Sequence, residues 1–410
     1  MDISNIIHTI QRINSEYGLY MVIKRGVIRV VDKCLYSFLS KSNIQDKTIV
    51  FYSTPDFSDN SRILFEYMVR ERYTDKYQLI WIVNSPVNYL KYHGNNIHFI
   101  KRYSLFAGHN RCVYYHQKAH WIFHTHGTPF PKRTDNSQIM VRLGHGGMGF
   151  KSSKGGMDTR QDNHILISGY GDVCYNSTGL SYGCNKSQLL PLGTPRNDLL
   201  FKYKEIDWID SYTSTKILWM PTFRQSKDKT IEDDTLNSET GFPILNTFER
   251  LHEFNRYLES IGVVLFIKIH PLQDMNKITT SELNNIKILT NTILDSRDIQ
   301  LYETLNHFSA LITDYSSVSF DYLCLDRPIG YTLDDYEEYK NSRGFSMDNP
   351  LDYMPGKHIY TYDDLVDFVR DVSCGIDQYH EERKAVQSKV GLVDDGKCCK
   401  RLLNYLGIEK

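Results

Sequence analysis

Apolar residues fall into short unbroken runs separated by longer stretches of helical spacing. Runs at 48–52, 78–83, 97–101, 121–125, 139–143 and 165–168 are rich in Ile, Val, Phe and Trp. Such runs predict strands. Between them, 61–73 and 104–117 place apolar positions three and four apart and predict helices. The alternation predicts a doubly wound parallel sheet. A polar stretch, 202–215, interrupts it and reads as a hinge. Strand runs resume at 216–220, 263–269, 286–289 and 310–313, with helices expected over 245–261, 362–372 and near 397–406. The charged segment 225–238 reads as a surface loop.

Ahead of the first strand, residues 3–40 show helical spacing from Ile6 to Leu35, with Lys24, Arg25, Arg29 and Lys33 interspersed. Such a basic amphipathic segment suits an anionic membrane surface, or packs on its own domain with the charges solvated. The expected fold is therefore α/β. Two Rossmann-like domains face a cleft, the GT-B architecture, after an N-terminal amphipathic helical segment. The boundaries expected are 1–45, 46–205 and 206–410.

Composition narrows the partners. Of 410 residues, 48 are Lys or Arg and 49 Asp or Glu, so no basic excess points to nucleic acid. The eight cysteines include no CxxC pair and no zinc-ligand rhythm, as expected of reduced cytosolic thiols. No signal peptide is evident, and no apolar run approaches the roughly 18 residues of a membrane span. The expected location is the cytoplasm, peripheral on the inner membrane face.

The candidate chemistry sits where strands end. The run at 310–313 stops at Asp314-Tyr315-Ser316-Ser317, after which helical spacing begins at Val318. Unpaired N–H groups at a helix start, hydroxyls and the helix dipole together favour a phosphate. The same residues would serve as plain N-caps. Three other strand ends shift the balance. Pro221-Thr222-Phe223-Arg224, Lys268-Ile269-His270-Pro271 and Gly193-Thr194-Pro195-Arg196-Asn197-Asp198 would converge on one crevice with guanidinium, imidazole and hydroxyl groups suited to a diphosphate.

These segments, with Asp59-Asn60-Ser61 and Arg343-Gly344-Phe345, resemble the CDP-glycerol glycerophosphotransferases of teichoic acid and capsule synthesis over roughly residues 47–372. The family carries a W-H-G-T-P-L-K segment whose histidine is the general base. Here His126-Gly127-Thr128-Pro129 copies its letters. His145 follows a strand run directly, however, with Lys151 six residues on, and strand placement makes it the preferred base. The resemblance implies a catalytic pair of His145 and His270. It implies donor binding by Arg224, Ser316, Ser317, Thr222, Arg196 and Asp314, and acceptor binding by Lys151. Domain 46–205 would take the acceptor and 206–410 the CDP donor.

The implied reaction moves glycerol phosphate, or another polyol phosphate such as ribitol phosphate, from a CDP-polyol donor, releasing CMP. The acceptor would be a lipid-linked saccharide or a growing polyol-phosphate chain at the membrane surface. No cofactor is required, and a divalent metal on the diphosphate is left open. Asp207 with Asp210, and Asp233 with Asp234, read as solvated loop charge rather than a metal pair. Two other readings stand beside this one: a GT-B glycosyltransferase using an NDP-sugar, and a non-catalytic subunit of a wall-polymer assembly.

Overall fold

Gln45 to Tyr52 forms the central strand, β1, of the first sheet. A computed structural model describes residues 7, 10–11, 14–15, 18–39, 43–102, 109–128, 137–145, 149–150, 165–167, 170–171, 173, 185–222, 238–269 and 283–410. The apolar runs flanking β1 become β2 (Gln78–Val83), β3 (Ile97–Lys101), β4 (Ala119–His124), β5 (Ile139–Arg142) and β6 (Ile165–Ile167). They stand in the order β3-β2-β1-β4-β5-β6, all parallel, so the winding reverses between β1 and β4.

Residues alternate between two apolar layers, as the two-residue period of a strand requires. Phe51 stacks on Trp81 and Phe123 at 5.6 and 5.5 Å, and meets Phe65 of helix α2 (Asp59–Arg70) edge-on. On the other side Val50, Ile80, Ile122 and Met140 pack with Cys112 and Val113 of helix α3 (His109–Lys118). Helix α1 (Leu19–Leu39) adds Leu35 and Leu39 to that layer. Each such side chain contributes about 1.5–3 kcal/mol when fully buried. Elsewhere on α1, Leu19, Tyr20, Ile23, Val27, Val30 and Phe38 are exposed.

The second sheet contains β8 (Thr215–Met220), β9 (Val263–Lys268), β10 (Ile286–Leu289), β11 (Ala310–Thr313), β12 (Ile329–Thr332) and β13 (Lys357–Ile359); the two-residue strand β7 (Leu189–Leu190), which precedes them in the chain, is not part of it. Their order, β10-β9-β8-β11-β12-β13, is again parallel and reverses between β8 and β11. Helix α4 (Phe248–Ser260) starts at Thr247, whose hydroxyl accepts from the Arg250 N–H at 3.3 Å. Helix α5 (Val318–Tyr322) is shorter than its apolar spacing suggests. It tightens into a 3-10 turn at Leu323–Leu325 and stops at Asp326, where φ is +48°. Helices α6 (Tyr362–Ser373), α7 (His380–Val390) and α8 (Cys398–Tyr405) follow.

Two compact units result: Met1–His145 with Arg160–Leu166 and Leu403–Lys410, and Gly146–Thr159 with Ile167–Leu402. Residues 195–199 belong to the second unit. Asp198 accepts the N–H groups of Cys398 and Cys399 at 2.7 and 2.9 Å, so it caps α8 from 200 residues away. The last residues return to the first unit, where the Lys410 ammonium meets Glu71 at 2.9 Å.

Candidate functional site

In the first unit, polar groups gather at the carboxyl ends of β1, β4 and β5, next to the winding reversal, where open α/β sheets hold ligands. Strands β4 and β5 are neighbours in parallel register, with His124 opposite Arg142. The loops that leave them therefore run side by side, and these carry His126 and His145. Their rings stack with centroids 3.7 Å apart and planes 13° apart. Sequence reasoning treats the two as rivals; the fold puts them in one place. Both residues are exposed. The Thr125 hydroxyl lies 2.9 Å from His126 Nδ1. Partial burial, and then the Arg142 charge, lower the His126 pKa from its ordinary value.

The His145 loop is tied down from α2. The buried Asn60 amide donates to the carbonyls of Leu143 and Gly144 at 3.2 and 3.0 Å. The Ser61 hydroxyl donates to the Tyr52 carbonyl at 3.1 Å. Gly144 has φ +70°, a conformation that side chains disfavour, which accounts for glycine in front of His145. Asp59-Asn60-Ser61 thus anchors the loop behind the candidate base. Lys151 lies outside the described residues.

In the second unit the ends of β8 and β11 are clasped together. Asp314, fully buried, accepts from the Thr222 N–H at 2.8 Å and from the Thr222 hydroxyl at 2.7 Å. The Thr313 hydroxyl donates to the Met220 carbonyl at 2.9 Å. Tyr315 points into the core, its hydroxyl donating to Asp335 at 2.9 Å and its ring 4.1 Å from that of Tyr339. Ser316 and Ser317 are left half-buried at the rim. Of the predicted donor set, Thr222, Asp314, Ser316 and Ser317 come together at this switch point. Arg224 and His270 lie outside the described residues.

Arg196 has a different partner. It is buried and ion-paired with the fully buried Asp321 of α5 at 2.6 Å. Asp321 also accepts from Tyr170, Asn197 and Tyr302 at 2.8, 3.2 and 2.5 Å. Arg196-Asn197-Asp198 is therefore a brace, holding α5 through Asp321 and α8 through the Asp198 cap. Sequence reasoning gave Asp321 no role, since an acid inside a helical run reads as solvent-facing. Lys268, named in the sequence as part of the segment Lys268-Ile269-His270-Pro271, is buried at the end of β9. The Lys268 ammonium donates to the Ile269 carbonyl at 2.9 Å, and burial lowers its pKa to about 8.

Among the described residues, no group of three or more His, Cys, Asp or Glu is placed to hold a metal ion. Asp210 is not the solvated loop charge expected. It ends a short helix, Asp207–Asp210, accepts the Ile206 N–H at 2.8 Å and lies 2.8 Å from His307 Nδ1. Asp233 and Asp234 lie outside the described residues.

Known proteins bear on this arrangement in three ways. The chain is 28% identical over 398 residues to a teichoic acid poly(glycerol phosphate) polymerase of Staphylococcus epidermidis, covering 89% of this chain and 51% of that protein. It thus spans about half the length of that relative. It is 22% identical to a teichoic acid glycerol-phosphate transferase of Staphylococcus aureus, covering 93% of this chain and 98% of that one. The solved structure of the wall teichoic acid polymerase TagF superposes with a TM-score of 0.71 at 22% identity, covering 94% of this chain and 96% of that one, which shows a shared fold. Residues 34–407 match the family model described as CDP-Glycerol:Poly(glycerophosphate) glycerophosphotransferase, and the chain belongs to that family.

Proposed function

We propose that this protein transfers glycerol phosphate, or another polyol phosphate, from a CDP-polyol to a hydroxyl of a lipid-linked saccharide or growing polyol-phosphate polymer, releasing CMP. The family match over residues 34–407 carries the reading. In the reaction, the acceptor oxygen bonds to the β-phosphorus, the bond from that phosphorus to the bridging oxygen breaks, and CMP leaves with the electron pair. The acceptor proton passes to His145, since an imidazole near neutral pKa suits that transfer. Charge spreads over the phosphoryl oxygens, so positioning and electrostatic stabilisation supply most of the catalysis.

His270 and Arg224 serve the diphosphate in this reading, with the Ser316 and Ser317 hydroxyls and Thr222, which Asp314 holds in place. Arg196 serves through Asp321, and Lys151 meets the acceptor phosphate. The proposal keeps the expected division of labour, with acceptor binding on residues 46–205 and donor binding on residues 206–410. It assigns no resident cofactor. The exposed apolar residues of α1 support an encounter with the acceptor at a membrane surface. No helix among the described residues is long and apolar enough to cross a membrane.

The test is product identity. With CDP-glycerol or CDP-ribitol and a lipid-linked disaccharide, acceptor-dependent CMP is expected. Release of a nucleoside diphosphate from an NDP-sugar, with no CMP from either CDP-polyol, would overturn the reading.

A further inference from the structure

The stacked pair of His126 and His145 has chemistry that neither histidine has alone. At a centroid separation of 3.7 Å two imidazolium rings repel, whereas the face of a neutral ring attracts a neighbouring cation. At that separation a proton on one ring opposes a second proton on the other. The surroundings decide which ring takes the first. Arg142, at the end of β5, sets its positive charge against His126, and Thr125 engages His126 Nδ1. Among the described residues nearby, His124 is buried at the end of β4, Tyr52 ends β1 and Asp59 stands at the start of α2. Asn60 holds the His145 loop through the backbone carbonyls of Leu143 and Gly144.

We propose that His145 and His126 work as a single proton-holding pair. His145 takes the proton from the acceptor hydroxyl; His126, a positioning residue, stays neutral and stabilises the new imidazolium through its ring face. No proton is gained or lost by His126 in the step, and His145 returns its proton to solvent after CMP departs. The inference rests on His145 being the base, as in the proposed function.

The experiment is an NMR titration of His145 in the full chain, for wild type, His126→Ala and His126→Phe, with pH profiles of kcat alongside. In wild type His145 is expected to titrate first, with His126 following at lower pH. In His126→Ala the His145 midpoint falls by about half to one pH unit, and plateau kcat falls about threefold to tenfold with the donor KM unchanged. The acid limb of the profile moves to lower pH with the midpoint. His126→Phe, which keeps a ring and cannot titrate, restores both values.

An unmoved midpoint and acid limb in His126→Ala, or His126 taking the first proton, overturns the pairing. Full turnover by His145→Ala overturns the base assignment beneath it. The titration requires no turnover, so the two failures are distinguishable.

Discussion

Replacing Asp321 with asparagine removes the charge that four donors share in the second unit. The guanidinium of Arg196, the hydroxyls of Tyr170 and Tyr302 and the amide of Asn197 all point at its two oxygens. The substituted amide would offer one acceptor oxygen and turn an NH2 group toward donors. The larger loss is electrostatic, since Arg196 is only 5% exposed and would stay charged without its partner. Breaking a buried ion pair from one side costs about 3–5 kcal/mol, and a buried donor left without an acceptor about 1–3. The terms overlap, so the expected total is about 4 kcal/mol, a large part of an ordinary domain's stability. Urea unfolding should show it as a midpoint about 1–2 M lower. Hydrogen exchange should place the loss in α5 and residues 195–199. Arg196→Met removes the stranded cation, so Asp321→Asn should cost at least about 1 kcal/mol less in that background. A loss below about 1 kcal/mol, or strict additivity, would refute the brace.

Three further outcomes follow from single contacts. Asn60→Ala frees the Leu143 and Gly144 carbonyls and should cost about 1–3 kcal/mol in thermal unfolding, with faster exchange at the His145 loop; unchanged exchange would refute the tether. Asp198→Ala uncaps α8 and should cost about 1–2 kcal/mol, with exchange rising at Cys398 and Cys399; a silent variant would show the cap idle. Burial lowers the His116 pKa from 6.5 to about 3. Its share of stability is therefore complete above pH 6.5 and is lost as pH falls toward 3, by up to about 1.4 kcal/mol per pH unit. Urea midpoints from pH 7.5 to 5 should fall less steeply for His116→Gln, and equal slopes would contradict the burial.

The sheets were legible because their strands are buried on both faces. A run such as Leu79 to Val83 has no polar alternate and reads as a strand without tertiary knowledge. Strand order was not legible. It arises from packing, and it is what brings His126 beside His145, turning two motif alternatives into one cluster. For the same reason Arg196-Asn197-Asp198 was recognisable as a motif while its partners were not. Asp321 lies 125 residues beyond Arg196, and Cys398 lies 200 beyond Asp198. Short elements were the other loss. Strand β13 has three residues, and Lys357 and His358 keep it from reading as an apolar run. Helix α7 carries six charged or histidine residues among eleven, which masks the positions where Val386 and Val390 are buried.

His145 is the residue on which the proposed chemistry depends most directly. CMP release from CDP-glycerol with a lipid-linked acceptor should fall by about 10²–10⁴-fold in His145→Ala, while the dissociation constant for CDP-glycerol stays near wild type. Undiminished acceptor-dependent turnover in His145→Ala, with donor binding intact, would contradict it.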